Sequence, residues 1–154
     1  MPNKCMCRDC TGSSIADVEV TSSQSNLLFT GIICNKHEMK LMDGDLINFA
    51  IGISNWVEVD TYGEVITFPS SKLYRIEISA NITQLHDRSF ICIDLEDDSS
   101  TERLTLLSCS SIGRHASKTC IQIKSGARLS LVQCGDSEVV YSPGGVKILV
   151  FADQ

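Results

Sequence analysis

Short apolar runs, each ended by residues typical of turns, recur along almost the whole chain. Between them lie turn signals such as Asp43-Gly44-Asp45 and Ser125-Gly126. No window carries apolar residues at helical spacing for more than two turns. The runs predict strands at residues 17–21, 27–34, 46–53, 56–60, 65–68, 73–83, 89–95, 103–109, 119–124, 128–134 and 146–152. About ten strands at this spacing predict an all-β chain that folds as a sandwich or barrel.

The alternation of side chains indicates which faces of these strands are buried. In the run 73–83 every second residue from Tyr74 onward is apolar, and the residues between them are polar. A strand with this pattern has one face in the core and one in water. The last run differs, because Ile148 and its alternate neighbours line one apolar face while Leu149 and Phe151 make the other face apolar too. We therefore expect a partner subunit to cover the outer face of this strand.

The composition predicts one folded domain and excludes several kinds of partner. Of the 154 residues, 43% are hydrophobic and 21% are charged, which is close to the globular average. We place the domain at residues 17–154, after a flexible, cysteine-rich tail at 1–16. The net charge of −6 argues against binding of nucleic-acid phosphates, and an aromatic content of 6% argues against base stacking. No apolar run approaches the ~18 residues of a membrane span, so no membrane insertion is predicted.

The eight cysteines fall into two groups. Five lie in strand-like runs, where free cysteine behaves as a small apolar residue. Cys5, Cys7 and Cys10 lie together in the tail, next to basic residues whose charge favours the reactive thiolate form. We expect them to stay reduced, to cross-link neighbouring subunits, or to bind zinc with Cys34 or His37 as the fourth ligand. The first residues lack the apolar segment of a secretory signal, so we expect synthesis inside the cell without a signal peptide.

Three stretches resemble the C1q/tumour-necrosis-factor superfamily. Residues 63–76 (GEVITFPSSKLYRI) resemble its central segment, in which an apolar strand and a Pro-containing turn lead into a strand that faces the core. Residues 124–132 (KSGARLSLV) look like a later strand of that superfamily. Residues 144–151 (GGVKILVF) look like its closing strand, which lies near the trimer axis. In strand order the resemblance extends over residues 27–152.

The resemblance implies a ten-stranded jelly-roll β-sandwich that assembles as a compact homotrimer. Function in that superfamily comes from surfaces and from the grooves between subunits, with no catalytic residues, so we expect neither a cofactor nor a resident metal. We interpret Tyr74, Ile148, Leu149 and Phe151 as core or trimer-interface residues.

Two functions fit such a protein, and in both its partner is another protein. The first is a structural or surface-binding subunit of a virus particle or spore coat, cross-linked through Cys5, Cys7 and Cys10 after it leaves the cell that made it. The coat component would then be the partner. The alternative is a receptor-binding ligand of the cytokine type, whose partner would be a cell-surface receptor.

A third hypothesis is a metal-binding or enzymatic jelly roll, for which the residues give less support. The three histidines lie too far apart in sequence for the His-x-His metal site of such enzymes. Cys109 and His115 would form a nucleophile–base pair only if they came within hydrogen-bond reach. The acidic groups at 43–45 and 96–98 lack the spacing of an EF-hand calcium loop. We interpret these residues as parts of loops and hairpin ends, and we predict a protein that is not an enzyme.

Overall fold

The computed structural model describes residues 26–33, 37–135 and 138–152, which fold as an all-β sandwich. The tail at 1–16 and the predicted strand at 17–21 lie outside the described residues. Eleven strands occur within them: β1 (Asn26–Ile32), β2 (Met39–Leu41), β3 (Ala50–Ser54), β4 (Glu58–Val59), β5 (Val65–Thr67), β6 (Lys72–Leu85), β7 (Ser89–Glu96), β8 (Thr101–Cys109), β9 (Gly113–Ile123), β10 (Arg128–Cys134) and β11 (Val139–Ala152). The all-β prediction is confirmed.

The strands form two antiparallel sheets. The six-stranded sheet has the order β3-β1-β11-β6-β9, and its sixth strand, β2, pairs with the first part of β11. The five-stranded sheet has the order β4-β5-β10-β7-β8. Neighbouring strands often come from opposite ends of the chain, as β1 and β11 do, and successive strands often change sheet. This connectivity is that of a jelly roll.

The core lies between the two sheets and uses the faces that the alternation predicts. In β6 the residues at even positions from Tyr74 to Ile82 are all buried, and residues at odd positions are more exposed. The Phe68 and Tyr74 rings pack with centroids 4.7 Å apart, and those of Phe29 and Phe49 pack edge to face at 6.1 Å. Burial of each side chain of this size stabilises the fold by about 1.5–3 kcal/mol.

A polar network of three side chains joins the two sheets inside the core. The Tyr141 hydroxyl on β11 donates to Gln133 Oε1 on β10 at 2.5 Å, and Gln133 Nε2 donates to Ser89 Oγ on β7 at 2.6 Å. All three residues are at most 1% exposed. Burial raises the pKa of Tyr141 to about 12, because the tyrosinate anion would lose its hydration. The network fixes how β11 sits over the five-stranded sheet.

Two strands begin much earlier than the sequence predicts. β9 begins at Gly113 rather than at 119, and its added residues at 115 and 117 are polar although they face the space between the sheets. β11 begins at Val139 rather than at 146. β2 is also missing from the prediction, because three residues are too short to show an alternating pattern.

The sequence Ser-Pro-Gly-Gly at residues 142–145, which is typical of a turn, forms a bulge inside β11. Tyr141 pairs with Ile82 and Val146 with Ala80, so β11 contains more residues than its partner between these two pairs. The extra residues leave the ladder, where Pro143 has no amide hydrogen that a ladder bond would need. The Pro-Gly-Gly sequence therefore interrupts the ladder without ending the strand.

Candidate interaction surface

The structure separates the four predicted core or interface residues into two pairs. Tyr74 and Ile148 are fully buried between the sheets. The Tyr74 hydroxyl donates to the carbonyl of Ser70 at 2.8 Å, which satisfies its one polar group. Both side chains therefore belong to the core of the single chain and offer no surface to a partner.

Leu149 and Phe151 lie on the opposite face of β11, directed away from the core. They form a small cluster with Leu27, and the Arg75 guanidinium lies 4.3 Å from the centroid of the Phe151 ring. Leu149 is 8% exposed and Phe151 3%. This face is thus already closed within one chain, so its apolar residues do not by themselves require a partner. Their assignment to a trimer interface stays a prediction.

An open edge of the sandwich lies beside this closed region. β8 and β9 are the last strands of their sheets, and a short turn at residues 110–112 joins them. Among the described residues no strand pairs with the second side of β9, so a strand of 11 residues presents unpaired backbone groups. His115, Ser117 and Thr119 face the space between the sheets yet are only half-buried. The gap between the sheets is therefore partly open at this edge.

The outer face of β6 and β9 is the accessible part of the six-stranded sheet. On β9 every second residue is exposed on this face, and the residues between them are half-buried. The exposed residues include the small side chains Ala116 and Cys120, with Lys118 between them. Lys118 pairs in the ladder with Glu77, and Ala116 pairs with Ser79. Small side chains with charges of both signs allow another protein surface to approach closely.

A separate exposed aromatic lies in the loop between β3 and β4. Trp56 is 48% exposed and has a backbone φ of 74°, which is uncommon for a bulky residue. The Lys72 ammonium lies 4.2 Å from the centroid of a Trp56 ring, a cation–π contact that holds the indole in place. Among the residues that the structure describes, the other exposed large apolar side chains are Met42, Leu46, Ile51, Tyr62, Leu73 and Ile112.

Cys109 and His115 do not show the features of an activated nucleophile and base. Cys109 is 1% exposed, within the core cluster, and burial raises its pKa to about 11. A thiol activated for attack needs its pKa lowered, which is the opposite shift. A ring nitrogen of His115 lies 2.8 Å from the Ser111 carbonyl, a bond that closes the β8–β9 turn.

The acidic loops have structural roles in the fold. Asp97 Oδ1 accepts hydrogen bonds from the backbone amides of Ser99 and Ser100 and from the Ser99 hydroxyl, and these bonds lower the pKa of Asp97. Asp43 and Asp45 each accept a backbone amide hydrogen bond, at 3.0 and 2.8 Å. No group of three or more potential metal ligands occurs in the part of the chain that the structure describes.

Two further sequence predictions concern the tail and the membrane. Cys5, Cys7, Cys10 and Cys34, the thiols proposed for cross-linking or zinc binding, lie outside the described residues. Within residues 26–33, 37–135 and 138–152, no helix is long and apolar enough to cross a bilayer.

Comparison with known proteins identifies the fold. No protein-family model matches the chain, and no curated protein matches its sequence. The structure of Eiger TNF from S. frugiperda matches with a TM-score of 0.65 at 10% identity, over 84% of this chain and 94% of that one. Murine APRIL at pH 8.0 also gives a TM-score of 0.65 at 10% identity, over 82% of this chain and 98% of that one. Murine APRIL at pH 5.0 matches with a TM-score of 0.59 at 10% identity, again over 82% of this chain and 98% of that one.

These matches show a TNF-like jelly-roll fold. The sequence resemblance at residues 63–76, 124–132 and 144–151 predicts this fold, and the comparison confirms it. At 10% identity the likeness establishes the fold and leaves the function to be argued from the surfaces of this chain.

Proposed function

We propose that this TNF-like jelly roll is a non-enzymatic subunit that assembles as a homotrimer and acts by binding other proteins. The observation that carries the proposal is the open β8–β9 edge, which lies next to the accessible outer face of β6 and β9. This edge exposes unpaired backbone groups of β9 and part of the gap between the sheets. A second subunit that covers it removes both from water and so stabilises the fold.

The edge favours packing against a face over extension of the sheet. Arg114 and Lys118 are exposed on β9, and cations on an edge strand discourage further strand pairing. Ala116 and Ser79, side by side on the outer face, leave room for a neighbour to approach. The edge of one subunit can therefore pack on the outer face of the next. Such a head-to-tail contact uses two different patches and closes into a ring when the rotation fits.

Two biological roles remain for the trimer, each supported by a different observation. The role of a structural or surface-binding subunit of a virus particle or spore coat is supported by the three clustered thiols at Cys5, Cys7 and Cys10. In this role the chain is made inside a cell and then works at the surface of the particle. The role of a receptor-binding ligand is supported by the fold likeness to Eiger TNF and murine APRIL.

The trimer interface is tested by placing a charge on it. Ala116→Arg adds a bulky cation to an exposed position of the outer face, and we expect it to convert trimers into monomers without unfolding them. Thr61→Arg is the matched control, because Thr61 is exposed in the turn between β4 and β5, and β4 lies at the opposite end of the five-stranded sheet from β8. Light scattering after size exclusion gives the masses, and circular dichroism shows that both variants fold. Trimers that persist in Ala116→Arg would contradict the proposed interface.

The two roles are separated by cross-linking and by cell binding. If the protein is a coat subunit, oxidation links trimers into larger covalent species, and the Cys5→Ser/Cys7→Ser/Cys10→Ser variant stays trimeric. If the protein is a ligand, the purified trimer binds cells saturably and the same variant binds equally well. Coat assembly that does not depend on these cysteines removes the support for the first role.

A further inference from the structure

Two cysteines that are distant in sequence meet on the outer face of the five-stranded sheet. Cys92 on β7 pairs with Val132 on β10, and Cys134 follows two residues after Val132 on the same strand. Because alternate residues of a strand share a face, Cys92 and Cys134 lie on one face as diagonal neighbours. Both are free thiols.

Both thiols also lie beside side chains of a third strand, β8. Burial, followed by a hydrogen bond with the Cys92 side chain, raises the pKa of Cys134 to about 11. Arg103 Nη1 on β8 lies 3.7 Å from Cys134 Sγ, and Thr105 Oγ1 lies 3.6 Å from Cys92 Sγ. Hydrogen bonds from Arg103 to both carboxylate oxygens of Asp94, at 2.6 and 2.8 Å, hold the guanidinium in place.

The two sulfurs differ in access to solvent. Cys92 is 4% exposed, whereas Cys134 is half-buried at the end of β10. A reagent dissolved in water therefore reaches Cys134 first. Cys92 is placed beside it, where it can react with whatever forms on Cys134.

We propose that Cys92 and Cys134 are a reversible oxidation site that closes a cross-strand disulfide by exchange with a small disulfide such as oxidised glutathione. Cys134 is the attacking thiol and Cys92 is the resolving thiol. The nearby Arg103 guanidinium favours the Cys134 thiolate, but burial outweighs this effect, so Cys134 attacks slowly at neutral pH and faster as the pH rises.

The exchange balances in two steps. The Cys134 thiolate attacks one sulfur of the small disulfide, so that a mixed disulfide forms on Cys134 and one thiolate leaves. The Cys92 thiolate then attacks Cys134 Sγ, which forms the Cys92–Cys134 bond and releases the second small thiolate. The two protons lost by the cysteines pass through water to the two leaving thiolates. The cysteine pair is oxidised by two electrons, and the small disulfide is reduced by two.

The geometry predicts a disulfide that is easily reduced. Diagonal neighbours in an antiparallel pair have Cα atoms about 7–8 Å apart, whereas disulfides usually join Cα atoms roughly 4.4–6.8 Å apart. Closing the bond therefore requires β7 and β10 to shift relative to each other along their length, which strains the ladder. Strained disulfides have higher reduction potentials and are the labile ones. The site is suited to switching between two states.

The test is a peptide map of the full-length protein after exposure to oxidised glutathione. Free thiols are alkylated, and trypsin then places Cys92 in the peptide 89–103 and Cys134 in the peptide 129–147. We expect these two peptides to appear as a linked pair that separates on reduction. The initial rate should rise about tenfold per pH unit between pH 7 and 9, because the thiolate is the attacking species.

Cysteine variants check the order of the steps. Cys92→Ser should trap glutathione on Cys134, and Cys134→Ser should leave the buried Cys92 unmodified. Cys109→Ser is the matched control, because Cys109 is buried in the neighbouring strand β8 and should leave the linked pair unchanged. The wild-type map remains decisive if a variant fails to fold. The proposal is overturned if glutathione stays on Cys134 in the wild type, if Cys134 links to another cysteine, or if neither thiol reacts at pH 9.

Discussion

The buried network of Ser89, Gln133 and Tyr141 supports a stability prediction that follows directly from the distances. Tyr141→Phe removes the hydroxyl that donates to Gln133 Oε1 at 2.5 Å, in a region where Gln133 is fully buried. Ser89 keeps its bond from Gln133 Nε2 at 2.6 Å and loses only a 3.3 Å contact. The main effect is therefore one buried amide oxygen without a donor.

Such an orphaned acceptor costs about 1–3 kcal/mol, and we expect Tyr141→Phe to lower the free energy of unfolding by about 2 kcal/mol. For a chain of this size the midpoint of thermal unfolding falls by roughly 4–8 °C. The assay is unfolding in urea, followed by circular dichroism, with the slope compared between variants.

Tyr74→Phe is the matched control for this prediction. Tyr74 is equally buried, but its hydroxyl donates to the carbonyl of Ser70, a half-buried loop residue that water reaches once the bond is lost. Loss of this hydrogen bond should lower the free energy of unfolding by about 0.5–1 kcal/mol. The triple variant Ser89→Ala/Gln133→Leu/Tyr141→Phe should lose much less than the sum of its single variants, because it removes the network as a whole. Equal losses for Tyr141→Phe and Tyr74→Phe would refute the reasoning.

Three further predictions concern single residues. Thr30→Val should raise the free energy of unfolding by about 1 kcal/mol in urea, because Thr30 Oγ1 is buried with no hydrogen-bond partner among the described residues. Gly63→Ala should lower the free energy of unfolding by about 3 kcal/mol or more, because a Cβ there would lie 2.3 Å from the Phe49 carbonyl oxygen and the φ is +70°. Gly44→Ala is the control: its φ is +91° but a Cβ there meets no other atom, so the free energy of unfolding should fall by only about 1 kcal/mol. The pKa of Cys109, raised to about 11 in the folded state, favours the neutral thiol, so its contribution to stability is complete below pH 9 and is lost as the pH rises from 9 to 11. This loss is at most about 1.4 kcal/mol per pH unit and should disappear in Cys109→Ala, whereas an unchanged alkaline slope would contradict the assignment.

The central strands could be predicted because burial imposes the alternation that the sequence shows. β10 has the predicted bounds of 128–134, and the apolar positions of β6 are all in the core. β9 could not be bounded in the same way, because an edge strand at an open gap tolerates polar residues such as Ser117 on its inner face. The sequence pattern of an edge strand therefore reports exposure rather than the extent of the strand.

The candidate surfaces were less accessible to sequence reasoning. The pattern of β11 shows that both faces are apolar, but it does not distinguish cover by Arg75 and Leu27 from cover by a partner. The sequence predicts that Cys92 lies in a strand, but its position next to Cys134 depends on the register between β7 and β10. Register between strands that are distant in the chain is a tertiary property, so no local spacing predicts it.

The mass of the wild-type protein in solution tests the proposed assembly most directly. Light scattering after size exclusion, with and without reductant, should give three times the chain mass of 16.9 kDa in both conditions if the β8–β9 edge packs on a neighbouring subunit. Species larger than this that collapse to trimers with reductant would add cross-linking to the same assembly. A mass of one chain in both conditions would contradict the account, because the open edge would then be stable in water without a partner.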